Sequence, residues 1–400
     1  MCFNETQQLQ LPSEVEDNLL HRYYKVGGAL PPLHPSYVER SADLLLYERL
    51  SQGLASYVLG PRQSGKSSLR VRAAYRLAQA GHRCVTLHAN QISDLAAGTR
   101  GWYRGLMLAI GRALNFSNLP ALCEWLNAAS TESLQRQLDI FAREFLAAYL
   151  QASGASSVVV FIDEIDYLIG AKLSIHPLLD WLCRRRDWNS AFADRFNVVM
   201  LGTTTIQDLV AGRSQASEVL LPEAGAITLD NFQLSETVAL AAGLSTNLAT
   251  ALLAMERVLF WTAGQPFLTQ KLCQLLIVTF DALSARNPLS QPLLAIDFSK
   301  LKQQIDDLVR SAVIDNWQVQ DQPAHLRPIG DRLLRSPRRA ALLQLYAQIL
   351  SGETVPVIRD QPVQAELRLS GLVSSKNNQL QVTAPIYRQV FNAEWLCANG

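Results

Sequence analysis

The chain reads Gly60-Pro61-Arg62-Gln63-Ser64-Gly65-Lys66-Ser67-Ser68 directly after the apolar run Tyr57-Val58-Leu59. The first eight of these residues fit the pattern GxxxxGK[ST], in which backbone N–H groups at a helix N-terminus cradle phosphate groups. Lys66 is expected to reach the β- and γ-phosphates of a nucleotide, and the Ser67 hydroxyl to hold Mg²⁺. A side chain at Gly65 would keep the backbone away from the phosphates. The strand before the motif and the helical stretch after it predict a phosphate-binding loop.

Apolar runs alternate with helical patterns from Ser36 to about Ala226, which is typical of βα units around a parallel sheet. Both faces of such a sheet are covered by helices, so its strands should be continuously apolar. Five strands are expected, the number typical of a P-loop ATPase core. They are Ser56–Leu59, Arg83–His88, Val158–Ile162, Asn197–Gly202 and Ala226–Leu229.

Two carboxylates, Asp163 and Glu164, follow the apolar run Val158–Ile162. At the carboxyl end of a strand beside the phosphate loop, Asp163 can hold Mg²⁺, and Glu164 can orient an attacking water. The alternative interpretation is a solvated acidic helix start. The 97 positions from Lys66 to Asp163 leave room for an additional strand and favour the ATPase branch over the compact GTPases.

Hydroxyl and basic side chains provide further candidates for residues that take part in nucleotide hydrolysis. Thr203 and Thr204, at the end of the fourth expected strand, can sense a γ-phosphate or hold the lytic water, or they cap the next helix. Arg184-Arg185-Arg186 and Arg195 can act as arginine fingers on a neighbouring copy, although a solvated basic helix face is the favoured interpretation. A nucleotide-dependent homo-oligomer therefore stays open.

The pattern predicts four segments along the chain. A leader at 1–35 is followed by a P-loop ATPase core at 36–230, a helical lid at 231–320 and a winged-helix domain at 321–400. Leucines at helical spacing after Gly264-Gln265-Pro266 indicate the lid. Helices at 338–350 and 363–369, followed by short runs on both sides of Asn377-Asn378, indicate helix, helix and hairpin.

Composition excludes several classes of protein. Of the 400 residues, 48% are hydrophobic and 18% charged, which excludes a disordered chain, and no apolar run approaches the ~18 residues of a membrane span. A net charge of +1 gives no global attraction to nucleic acid or lipid. Six scattered cysteines and an acidic start without a signal pattern predict a reduced, cytoplasmic protein with no membrane partner.

Taken together, the motifs resemble those of the bacterial AAA-like ATPase domain related to STAND signalling ATPases. The resemblance covers roughly residues 22–396. It rests on residues 37–43, 57–72, 162–166, 261–273 and 366–373. The fold that it implies is an α/β P-loop NTPase of AAA+/STAND type, with a five-stranded parallel sheet followed by an α-helical lid and a winged helix.

The resemblance also implies a function, an ATP-dependent molecular switch with slow hydrolysis and with ATP, ADP and Mg²⁺ as its ligands. Tyr37, Val38 and Arg40 match the segment that packs on adenine, and Pro266 matches the proline that touches the base. Read from physics alone, Pro266 marks only a helix start. Related domains commonly precede β-propeller or tetratricopeptide repeats, so a sensor, fused or on another protein chain, is the expected partner.

A second class of function is a DNA-handling AAA+ ATPase, of initiator or transposition type, whose winged helix grips duplex DNA. Residues 331–400 carry eight basic and five acidic side chains, and the presumed recognition helix Val363–Leu369 has one Arg and one Glu. This is little charge for a site that neutralises about 6–10 phosphates. The charge pattern therefore favours the signalling switch over DNA binding.

Overall fold

The computed structural model describes residues 23–92, 98–184, 195–210, 225–286, 298–358 and 361–400. The chain divides into two compact units. The sheet unit consists of Ser41–Gly60 and Lys66–Leu229, and the helical unit contains the described residues through Arg40 together with Pro61–Gly65 and Asp230–Gly400. Five residues of the predicted phosphate loop thus belong to the helical unit, while the residues on both sides of them belong to the sheet unit.

The sheet unit contains a parallel sheet with the strand order β1-β4-β3-β2. Leu59 pairs with Gly202, and His88 pairs with Asp163, so the carboxyl ends of the strands lie along one edge. All residues of β3 and β4 are buried, as expected for strands covered on both faces. The strands are β1 (Ser56–Leu59), β2 (Arg83–His88), β3 (Val158–Asp163) and β4 (Phe196–Gly202).

Helices cover both faces of this sheet. Val158, Val160 and Ile162 of β3 belong to one apolar cluster, and Val159 and Phe161 belong to another, which follows from the alternation of side chains along a strand. The helices of this unit are α1 (Ser41–Ser51), α2 (Lys66–Gln79), α3 (Gly98–Ala113), α4 (Leu119–Ala128), α5 (Leu134–Ile140), α6 (Ala147–Ser153), α7 (Tyr167–Gly170), α8 (His176–Arg184) and α9 (Ile206–Val210), with a π-helical segment at Phe141–Leu146.

The expected count of five strands is wrong for the described part of the sheet, which has four. The fifth expected strand, Ala226–Leu229, is reduced to one parallel bridge between Ala226 and Tyr57, closed by a hydrogen bond from Ile227 N to Tyr57 O of 2.8 Å. Ile227 is buried and its neighbours on both sides are exposed. The segment lies at the edge of the sheet next to β1, so an apolar pattern is present without a continuous ladder of hydrogen bonds.

The helical unit is built around one apolar core that extends from Tyr24 to Phe391. Tyr23 and Tyr24 donate hydrogen bonds of 2.6 Å to the carbonyls of Ala239 and Leu240, which fixes the N-terminal described residues to this unit. Its helices are α10 (Val238–Ala241), α11 (Leu248–Thr262), α12 (Pro266–Arg286), α13 (Phe298–Val309), α14 (Trp317–Gln320), α15 (Leu326–Arg335), α16 (Arg339–Ser351), α17 (Pro362–Leu369), α18 (Pro385–Val390) and α19 (Ala393–Asn399).

Helices α16 and α17 are followed by an antiparallel hairpin of β5 (Val373–Lys376) and β6 (Gln379–Val382). Asn377 and Asn378 form its turn with φ values of +51° and +60°, the left-handed conformation that asparagine tolerates. Pro356 adds an isolated antiparallel bridge to Gln379. The predicted order of helix, helix and hairpin is therefore observed. Among the described helices, none has the length and apolar character needed to cross a membrane.

Candidate phosphate-binding site

The predicted phosphate loop connects β1 to the N-terminus of α2. Gly60 N donates to Gly202 O at 3.1 Å, which fixes the start of the loop to the end of β4. Lys66 Nζ donates to Gly60 O at 2.9 Å, so the lysine folds back along the loop. Gln63 and Gly65 have φ values of +58° and +96°. The loop thus begins at the sheet and ends where the amide groups of α2 concentrate positive potential.

Two features of the loop fit an anionic ligand. Ser64 is buried, and its hydroxyl has no hydrogen-bond partner among the described residues. Gly65 lies against Arg40, because a Cβ at Gly65 would be 2.7 Å from Arg40 Nη2. Arg40 also donates from Nη1 to Ser64 O at 3.0 Å and to Asp230 O at 3.2 Å. A phosphate oxygen can satisfy a buried hydroxyl that has no partner, and a guanidinium against Gly65 adds positive charge beside the loop.

The predicted magnesium ligands lie side by side in the sheet unit. Asp163 closes β3 with 7% of its surface exposed, and its Oδ2 is 3.5 Å from Ser67 Oγ. Arg70 Nε lies 3.4 Å from the same carboxylate oxygen. Oxygen ligands of this kind suit Mg²⁺, which keeps several waters and takes few protein ligands. Within the described ranges, no cluster of three or more His, Cys, Asp or Glu side chains offers a metal site that protein ligands alone would complete.

Glu164 follows Asp163 in an uncommon conformation. Its φ is +56°, and its N–H donates to Asp163 Oδ1 at 3.0 Å. A residue other than glycine in the left-handed region is strained by about 1–3 kcal/mol, and such residues cluster at functional sites. Because Glu164 is exposed, its carboxylate faces solvent beside the buried Asp163. The predicted acidic pair therefore separates into one buried and one accessible carboxylate.

The threonines after β4 have different roles. Thr203 N donates to Asp166 Oδ1 at 2.8 Å, which joins the ends of β3 and β4. Thr204 is buried, and its hydroxyl donates to Thr205 O at 3.2 Å. Thr205 caps α9, because its Oγ1 accepts the N–H of Asp208 at 3.0 Å. Helix capping, the alternative interpretation of this run, thus applies to the third threonine, and the sensing role of Thr203 and Thr204 stays a prediction.

The candidate arginine fingers that the structure describes have partners on their own unit. Arg184 pairs with Asp180 one turn earlier on α8. Arg195 donates to Ala155 O at 2.6 Å and to Ser156 O at 2.9 Å. The remaining two, residues 185 and 186, lie outside the described residues.

The four residues expected to contact the adenine base lie in the helical unit. They are Tyr37, Val38, Arg40 and Pro266. Tyr37 and Val38 are buried, and the Arg40 guanidinium lies 5.4 Å from the centre of the Phe232 ring. Pro266 is buried and begins α12 directly after a turn in which Gly264 has a φ of +73°. A helix start at Pro266, as read from physics alone, is therefore observed.

Sequence reasoning missed two sets of contacts at the loop. Arg70, one turn after Ser67 on α2, pairs with Asp163, and the i, i+3 spacing was an available signal. Gln63 contacts Gln265 and His325, which are 202 and 262 positions away along the chain. For these distant contacts the sequence offers no local signal.

A family model matches the part of the chain that contains the phosphate loop. Residues 26–293 match the AAA-like domain, which is more than half of the chain. The chain belongs to the AAA-like domain family.

Among curated proteins, an uncharacterized WD repeat-containing protein of Synechocystis sp. is 34% identical over 376 residues, which is 93% of this chain. The chain spans about 30% of the length of that relative. Among solved structures, a Walker-type ATPase of Pyrococcus abyssi is 14% identical with a TM-score of 0.47, over 92% of this chain and 99% of that one. The ORC2 protein of Aeropyrum pernix, in ADPNP–ADP complexes, is 12% identical with a TM-score of 0.45, over 96% and 98%. At these scores the structural likeness bears on neither activity nor partner.

Proposed function

We propose that this protein is an ATP-binding and ATP-hydrolysing molecular switch of the STAND/AAA-like class, which couples its nucleotide state to partner binding in signalling. The observation that carries the proposal is the position of Ser67 Oγ, 3.5 Å from Asp163 Oδ2, at the helical end of the phosphate loop. A hydroxyl and a buried carboxylate at this spacing are the protein ligands that a nucleotide-bound Mg²⁺ uses in P-loop ATPases.

Each residue of the site has a role in this proposal. Lys66 binds the phosphates as a point charge, and the loop amides hold them by backbone hydrogen bonds. Ser67 and Asp163 would hold Mg²⁺, which supplies charge neutralisation between the phosphates when bound. Glu164, the accessible carboxylate, orients water for hydrolysis.

The proposed signalling role includes a sensor, fused or on another chain, as the protein partner. A relative described as a WD repeat-containing protein, of which this chain spans about 30%, supports a sensor that belongs to a longer protein. We assign the helix–helix–hairpin elements of residues 321–400 to a winged helix and place the protein in the cytoplasm, without a membrane partner.

DNA handling is the less favoured function because α17 has few groups available for DNA. Leu367 and Leu369 of this helix are buried. Glu366 accepts a hydrogen bond of 3.0 Å from Arg338, so one of the nearby cations is already paired. A recognition helix needs donors and acceptors that reach base edges, together with free cations for phosphates. Tight, salt-sensitive binding to duplex DNA would reverse this order of preference.

Two variants test the proposal. Lys66→Ala should abolish ATP binding in calorimetry, while the exposed Lys376→Ala, which also removes one positive charge, should bind as the wild type does. Glu164→Gln should bind ATP and release phosphate far more slowly, with the exposed Glu124→Gln as the matched control. Unchanged ATP affinity of Lys66→Ala would refute nucleotide binding at this loop. Wild-type phosphate release by Glu164→Gln would remove Glu164 from the catalytic role and leave binding intact.

A further inference from the structure

Gln63, in the middle of the phosphate loop, is a point where three segments of the helical unit meet. Its backbone carbonyl accepts a hydrogen bond of 3.1 Å from Gln265 Nε2, in the turn before α12. Its side-chain amide donates from Nε2 to Ala324 O at 3.1 Å. Its Oε1 is hydrogen bonded to His325 Nδ1, at the start of α15. The loop is therefore bound through one residue to two distant parts of the chain.

These hydrogen bonds allow one arrangement of protons. The carbonyl of Ala324 is an acceptor, so the Gln63 nitrogen must face it and Oε1 must face His325. Nδ1 of His325 then carries the proton that Oε1 accepts. Burial lowers the pKa of His325 to about 3, so the ring is neutral and Nε2 is an acceptor. Tyr387 OH, at 2.8 Å from Nε2, donates to it. The chain of donors runs from Tyr387 through His325 to Gln63.

The His325 ring is held on every side. It stacks on Phe267 with 4.7 Å between ring centres and an angle of 17°. Its backbone N–H donates to Asp321 Oδ1 at 2.9 Å, and Asp321 Oδ2 accepts Arg327 N at 2.8 Å, which secures the start of α15. Only 4% of the residue is exposed. A ring fixed in this way presents its Nδ1–H in one direction, so it can define where the Gln63 side chain lies.

Gln63 needs such support because its backbone is in a sparsely populated conformation. Its φ of +58° is uncommon for a residue other than glycine and is kept only where surrounding contacts determine it. Gln63 itself is exposed, whereas its partner His325 is buried, so the bond to His325 ties the loop to a fixed point of the helical unit. The bond to His325 is thus one of the contacts that keep this backbone conformation.

We infer that His325 is a positioning residue for the phosphate loop. Through its Nδ1–H it holds Gln63, and thereby the loop backbone, in the conformation that receives nucleotide phosphates, without touching the nucleotide itself. This inference rests on the proposed nucleotide binding at the same loop. Because His325 acts on the loop that binds the phosphates, its effect on affinity should be larger for nucleotides that make more phosphate contacts with the loop. By linkage, nucleotide binding must strengthen the His325–Gln63 bond to the same extent.

The test compares His325→Phe with His325→Asn. Phenylalanine keeps the stacking on Phe267 and loses both ring hydrogen bonds, whereas the amide of asparagine places a donor near the position of Nδ1. ADP affinity, measured by calorimetry, should fall about three- to tenfold in His325→Phe, the effect of one hydrogen bond. It should return to within about twofold of the wild type in His325→Asn. AMP, which lacks the β-phosphate, should show a smaller loss than ADP in His325→Phe.

A structural role alone would give a different pattern. Both substitutions remove the bond to Tyr387, and asparagine also loses the stacking on Phe267 that phenylalanine keeps. A general loss of packing would therefore weaken ADP binding in His325→Asn at least as much as in His325→Phe, and that result would overturn the inference. Wild-type ADP affinity in His325→Phe would overturn it as well. Lys66→Ala in the same series separates the two proposals. If Lys66→Ala abolishes ADP binding while His325→Phe has no effect, only the positioning role fails, and if Lys66→Ala binds ADP normally, the proposed function fails.

Gln63→Gly removes the His325–Gln63 bond by a change at the exposed partner. It tests the inference even if substitution of the buried His325 prevents folding. Glycine accepts the positive φ and removes both the acceptor for His325 and the donor to Ala324 O. It should weaken ADP binding at least as much as His325→Phe, and the double variant should bind ADP no more weakly than Gln63→Gly alone. Additive losses would show that the two residues act independently and would overturn the inference.

Discussion

Replacement of Gly264 by alanine tests how the turn between α11 and α12 is built. Gly264 is buried with a φ of +73°, and a Cβ at this position would lie 2.1 Å from Phe232 O and 2.8 Å from Phe232 N. These are backbone atoms, which cannot swing aside as the end of a side chain can. The hydrogen bond of 2.8 Å from Phe232 N to Gly264 O must therefore weaken as the two segments separate.

The expected cost follows from these two effects. An alanine in the left-handed conformation costs about 1–2 kcal/mol, and a buried backbone pair that loses its hydrogen bond costs about 1–3 kcal/mol. Gly264→Ala should therefore lower the free energy of unfolding by about 2–5 kcal/mol, a large part of the usual stability of a domain. The matched control is Gly352→Ala, where φ is +89° and a Cβ would meet nothing within 4 Å. It should cost about 1–2 kcal/mol.

The measurement is urea-induced unfolding followed by far-UV circular dichroism, with the midpoints compared at unchanged denaturant slope. Equal losses of stability in Gly264→Ala and Gly352→Ala would refute the reasoning, because the contact with Phe232 would then contribute nothing beyond backbone strain.

Two further predictions concern an ion pair in the helical unit and the end of β4 in the sheet unit. Asp306 accepts hydrogen bonds of 2.6 Å from Nε and Nη2 of Arg257 and one of 2.8 Å from Trp261. Burial alone raises the pKa of Asp306, but these bonds and the charge of Arg257 outweigh burial and lower the pKa. Its contribution to stability is complete above the unfolded-state pKa of about 3.9 and is lost as the pH falls through the lower folded value. Asp306→Asn should therefore lower the urea midpoint at pH 7 and reduce the difference between the midpoints at pH 7 and pH 3. An unchanged difference between these midpoints would contradict the stabilising role of the Asp306 carboxylate. Gly202→Ala should cost about 1–3 kcal/mol, because its Cβ would lie 2.8 Å from Asp166 Oδ1 at the end of β4, and an unchanged melting temperature would contradict this.

The parts of the fold that the sequence predicts well are those that rest on local patterns. β3 and β4 were predicted within one residue at each end, because strands buried on both faces are continuously apolar. The hairpin turn at Asn377-Asn378 was predicted because few residues tolerate its backbone. Local patterns were enough wherever one element decides its own structure.

Where the structure depends on distant partners, the sequence failed. The apolar segment Ala226–Leu229 has the composition of a strand, but pairing is a property of two segments, and only Ala226 forms a bridge. The contact of Gln63 with His325 spans 262 positions and has no local signature.

The membership of Pro61–Gly65 in the helical unit has a consequence for the order in which the site is completed during synthesis. Domains generally fold as units from the N-terminus while the ribosome is still adding residues. Lys66, Ser67 and Asp163 belong to the sheet unit, whose last residue is Leu229. Gln63, in contrast, has partners at Gln265 and His325 that emerge later. A nascent chain that ends between residues 229 and 265 would thus carry Lys66, Ser67 and Asp163 before either partner of Gln63 has been synthesised, so Gln63 gains its contacts only after the sheet unit is complete.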